Sequence, residues 1–79
     1  MDKNLAVIAI IIKDVNSIER VNSLLSCFRD EIVGRMGIPH RDGGNVITVC
    51  VESTKEKINS LSGKLGMLQG VTSKVLVAN

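Results

Sequence analysis

The chain has 79 residues, 44% of them apolar and 23% charged, with a net charge of +2. That composition suits one small domain spanning residues 1–79 and excludes a disordered chain. Ten basic residues against eight acidic ones give no electrostatic case for direct DNA or RNA binding.

The aliphatic residues Ile, Val and Leu number 26, while Phe28 is the sole aromatic. A core of thin, mostly β-branched side chains favours a sheet. The start, Met1-Asp2-Lys3-Asn4, lacks the features of a secretory signal, so the chain reads as cytoplasmic. Residues 5–12 form the longest apolar run, far short of the ~20 residues of a membrane span. This run predicts a central strand, apolar on both faces. Asn16 followed by Glu19 fits a capping box, with Asp14 as a turn residue. Ile18, Val21, Leu25 and Phe28 then recur at i, i+3, i+7 and i+10, predicting a first helix over 16–29.

Gly34 and Gly37 argue against helix in 32–38. Pro39 and the run Asp42-Gly43-Gly44-Asn45 signal a turn of several residues. Residues 45–52 read as the return strand of a hairpin. Ser53 with Glu56 fits a second capping box. Ile58, Leu61, Leu65 and Leu68 repeat the helical stripe. Gly63 and Gly66 inside it suggest close packing on the sheet, Gly70 ends the helix, and 71–77 form the last strand. The order βαββαβ predicts an α+β, ferredoxin-like fold: a four-stranded antiparallel sheet with two helices on one face.

In that fold one sheet face lies open to water, yet both residue sets of the first and third predicted strands are largely apolar. Such a surplus predicts a homo-oligomer, dimer or tetramer, built through the sheet face or its edges.

The chemistry-bearing residues are few. Cys27 and Cys50 form neither a Cys-x-x-Cys loop nor a disulfide framework. Cys27, on the flank of the first helix, reads as a small buried hydrophobe. Iron–sulfur clusters take four ligands, usually cysteines, and no strand aromatics serve as RNA-stacking platforms. His40 has no Cys or carboxylate at metal-ligand spacing, and Cys50 comes near it only if register or symmetry allows. No nucleophile–base–orienter set can be assembled, so neither an enzyme nor a cofactor is expected. The densest candidate is residues 34–41, where Arg35, Gly37, His40 and Arg41 combine cationic groups with backbone open to close approach. Two readings stand there: a site for a small ligand or anion near an interface, or an ordinary hairpin with solvated charges and a bulge.

Ile32-Val-Gly-Arg-Met-Gly-Ile-Pro-His-Arg41, Leu61-Ser-Gly-Lys-Leu-Gly-Met-Leu-Gln-Gly-Val71 and Arg20-Val-Asn-Ser-Leu-Leu25 together resemble the small regulators of the iron-only hydrogenase system, over essentially the whole chain. The resemblance implies a βαββαβ fold similar to ACT domains and to the C-terminal domain of nickel-responsive regulators. It also implies oligomers, with Arg35, Met36, Gly37, Ile38 and Pro39 as characteristic positions and no catalytic role. Asp14-Val15-Asn16-Ser17 departs from the Asp-x-Pro-Gly turn of amino-acid-binding ACT domains. Only His40 and Cys50 could stand for the several histidines and the cysteine of a nickel site. The expected function is therefore a non-enzymatic oligomeric regulatory or ligand-sensing domain. The alternative is a protein–protein interaction module or scaffold with no small ligand.

Overall fold

The computed structural model describes residues 3–78, with only the backbone described at His40. The elements are β1 (Asn4–Ile12), a single 3-10 turn at Val15–Ser17, α1 (Ile18–Cys27), β2 (Ile32–Arg41), β3 (Gly44–Ser53), α2 (Lys55–Gly66) and β4 (Val71–Val77). They form one antiparallel sheet in the order β2-β3-β1-β4, the ferredoxin-like arrangement expected of βαββαβ. β1 is central and pairs along its full length with β3, from Asn4↔Ser53 to Ile12↔Asn45.

The strand period of two decides which aliphatics enter the core. Ala6, Ile8, Ile10 and Ile12 of β1 and Ile47, Val49 and Val51 of β3 are buried. Val21 and Leu25 of α1 and Ile58, Leu61 and Leu65 of α2 close over them. The alternate set of β1, Leu5, Val7, Ala9 and Ile11, faces away from the helices.

Local chemistry moves several element ends from their predicted places. The first helix is shorter than 16–29 because the Asp14 carboxylate accepts a hydrogen bond from the Asn16 amide at 2.9 Å, fixing a 3-10 turn first. Ser17 then precedes α1 without capping it, since its hydroxyl donates instead to the Gln69 carbonyl at 2.7 Å. Thr54, not Ser53, caps α2: its hydroxyl accepts from the Lys57 amide at 3.2 Å, while Ser53 is buried at the end of β3. β2 continues through Pro39 to Arg41, and the hairpin turns on Asp42 and Gly43 alone, with Arg41 opposite Gly44. Proline is tolerated there because β2 is an edge strand whose register shifts between Ile38 and Arg41.

α2 ends at Gly66, before Gly70, whose φ of +70° serves the turn into β4. There the Lys13 amide donates to the Gly70 carbonyl at 2.7 Å. Together with the Ser17–Gln69 bond, it straps the β1–α1 and α2–β4 connections to each other.

Gly63 and Gly66 do not pack closely on the sheet. Both are exposed, and a Cβ at either would meet nothing within 4 Å. Gly63→Ala and Gly66→Ala should therefore each stabilise the fold by about 1 kcal/mol, the helix-propensity difference. Urea denaturation of the two variants measures this; destabilisation by either would show that a contact outside this chain needs the bare backbone.

Candidate functional site

Arg35 and Gly37 lie opposite Val49 and Ile47 in the β2–β3 register, so both are on the helix-covered side of the sheet. A cavity of about 250 Å³ opens between β2 and the Ile18 and Asn22 side of α1, just below the ~300–1,000 Å³ usual for small-molecule sites. Arg35 spans its mouth, where Nη2 donates to Asn22 Oδ1 of α1 at 3.2 Å. Ile12, Ile18, Ile47 and Pro39 supply apolar walls. At Gly37 a Cβ would meet only the Val46 carbonyl oxygen, at 4.0 Å, so the glycine leaves room in the cavity without being required by packing.

The electrostatics are one-sided. Among the described residues the one ion pair joins Lys57 to Glu31 at 3.9 Å and does not involve Arg35. The guanidinium keeps a neutral amide partner and most of its donor fork. A cationic fork beside aliphatic walls suits a small anion with an apolar body.

The four residues singled out from sequence do not form one cluster. Arg35 and Gly37 share the cavity. Arg41, past the register shift, lines a separate depression with Lys13, Asp42 and Gly43. Ile12, Asn45 and both depressions adjoin, since those two residues line each of them. The His40 side chain lies outside the described residues. Its backbone is six positions along β2 from Gly34, which pairs with Cys50. At ~3.3 Å per residue that separates the His40 and Cys50 backbones by roughly 20 Å within one chain. Among the described residues no group of three His, Cys, Asp or Glu side chains could hold a metal.

Sequence reasoning missed Asn22. The signal was available, because Asn22 follows Ile18 by four residues and so flanks the apolar stripe of α1 on the same face. It also misplaced Cys27, which is exposed on α1 and not buried. Four hydroxyls have structural partners: Thr54 caps α2, Ser17 binds Gln69, and the Ser62 and Ser73 hydroxyls lie 2.9 Å apart.

A family model, TM1266-like, described as "Iron-only hydrogenase system regulator, putative", matches residues 4–75. The solved structure of the uncharacterized protein TM1266 from Thermotoga maritima superposes with a TM-score of 0.91 at 29% identity, covering 99% of this chain and 100% of that one. A formyltetrahydrofolate deformylase from Pseudomonas putida KT2440 shares the fold at a TM-score of 0.57 and 14% identity, over 95% of this chain and 28% of its own. No curated protein matches.

Proposed function

The chain belongs to the TM1266-like family, and from that premise we propose that it is a non-enzymatic regulatory module of the iron-only hydrogenase system, working as an assembly of its own copies and responding to a small apolar anion held at Arg35. The observation that carries this reading is the open sheet face. Leu5, Ile11, Met36, Ile38 and Leu76 are exposed on it, around half-buried Val7, Val46 and Cys50. Soluble monomers seldom leave so continuous an apolar surface in water.

The cavity and that face meet at Ile38 and Val46. These two residues pair with each other on the open side and also line the Arg35 cavity. The cavity and the open face are thus opposite sides of the same β2–β3 pair, so a ligand that shifts these strands from one side would move the Ile38 and Val46 side chains on the other, which couples binding to association.

Sedimentation velocity at micromolar concentration should show an oligomer. A differential scanning fluorimetry panel of small carboxylates, phosphates, nucleotides and metal ions should raise the melting temperature for an anion with an apolar body. Arg35→Ala should weaken that response at least about tenfold, the scale of one charge-assisted hydrogen bond. Gly37→Val should abolish it by filling the cavity while leaving the strand intact. A monomer sinks the assembly reading, and an unchanged response in Arg35→Ala sinks the site.

A further inference from the structure

A second surface lies away from both the cavity and the open sheet face, between the two helices. Leu24 and Cys27 of α1 face Leu68 and Met67, at and just past the end of α2, across a groove of about 440 Å³. The helices run antiparallel. Arg20, in the first turn of α1, stands at one end. Lys64 stands towards the other, with Nζ 5.9 Å from the centroid of the Phe28 ring that follows α1. From Arg20 to Cys27 is seven residues, ~10 Å at 1.5 Å per residue, or two helical turns.

Three features say what this groove takes. Its floor is apolar and uncovered: Met67 is 86% exposed and Cys27 is exposed, while Leu24 and Leu68 pack only partly on the core. Its two ends are both cationic, no acidic residue lines it, and neither Arg20 nor Lys64 has an ion pair among the described residues. It is shallow and open along its length. Small-molecule sites bury most of their ligand, whereas an open groove two turns long fits the i, i+3, i+4, i+7 face of a docked helix.

We propose that this groove docks two turns of an amphipathic helix from a partner protein, its apolar face over Leu24, Cys27, Met67 and Leu68 and an acidic residue towards each end, over Arg20 and Lys64. The proposal does not depend on the assembly or the Arg35 reading, because it uses neither surface. Methionine suits such a role, since its flexible, polarisable side chain adapts to a partner's shape. The two cations add selectivity, as they favour an acid-flanked helix over a basic one.

The test is a titration of the isotopically labelled full chain, followed by NMR, with a capped helical peptide of about four turns. It carries leucines at i, i+3, i+4 and i+7 and one glutamate on each flank. Saturable shifts should centre on Leu24, Cys27, Met67 and Leu68. The same peptide with lysine for glutamate should bind at least about tenfold more weakly. Met67→Glu should weaken binding by a similar factor without moving the melting temperature, because the side chain is already exposed. Absent or unsaturable shifts overturn the proposal, as does equal affinity for the two peptides. Shifts at the same residues with sodium dodecanoate but not with the peptide also overturn it, and identify a fatty-carboxylate site.

Discussion

Gly44→Ala should destabilise the fold by about 3–5 kcal/mol, while Gly43→Ala next to it should change stability by less than about 0.5 kcal/mol. The two glycines are neighbours but not in the same environment: Gly43 is in the turn and Gly44 opens β3 opposite Arg41. Gly44 has φ of +121°, a conformation costing any L-residue with a side chain about 1–3 kcal/mol. A Cβ there would also stand 2.5 Å from the Ile12 carbonyl oxygen and 3.1 Å from its carbon. Those are backbone atoms of the central strand and cannot rotate away, so relief requires β1 and β3 to separate where Ile12 pairs with Asn45. Overpacking of this kind adds about 1–3 kcal/mol. At Gly43 a Cβ would meet nothing within 4 Å. A domain of this length holds about 4–12 kcal/mol in total, so Gly44→Ala should remove a large share of it. Urea unfolding followed by circular dichroism measures both variants. Equal midpoints would show that the Ile12 contact does not govern the turn.

That pair also marks the limit of what the amino-acid order reveals. Asp42-Gly43-Gly44-Asn45 announces a turn, because few other residues tolerate its backbone, yet nothing in the order tells which glycine is indispensable. The larger architecture is legible for a different reason. Strand and helix periods differ, and the stripes at Ile18, Val21, Leu25 and at Ile58, Leu61, Leu65 cannot be satisfied by strands. Helix starts are less legible. Asp14, Asn16 and Ser17, or Ser53 and Thr54, are adjacent side chains with similar oxygens, and the choice among them depends on distant partners such as the Gln69 carbonyl. The eight-residue apolar run of β1 hides its own orientation, since both alternating sets are aliphatic. Only the helices above Ala6, Ile8, Ile10 and Ile12 settle it. The candidate site divides on the same account: Arg35 and Gly37 are two apart and share a face, whereas the register shift after Ile38 carries Arg41 into another depression.

Placing a carboxylate on the open sheet face, by Ile11→Glu or Met36→Glu, should convert the expected assembly into monomers without unfolding them. Both side chains are already substantially in water within one chain, at 40% and 58% exposure, so the monomer loses little. In an interface built on this face the same carboxylate would be buried among Val7, Val46 and Cys50 with no cation in the middle of the sheet to meet it. Lys74, opposite Ala9 on the edge strand β4, is a diagonal neighbour of Ile11 and within reach of a glutamate there, so Met36→Glu is the stricter of the two substitutions. Burying an uncompensated charge costs about 3–5 kcal/mol, equivalent to a dissociation constant raised at least about a hundredfold. Ser60→Glu, on the exposed side of α2, is the control and should leave assembly unchanged. Sedimentation velocity of the three variants beside the parent chain, with melting curves for each, separates the cases. Dissociation by Ile11→Glu and Met36→Glu alone places the interface on the sheet face. Assembly that survives both substitutions moves it to the strand edges, where β4, unbroken by proline or bulge, is the better template for pairing than β2.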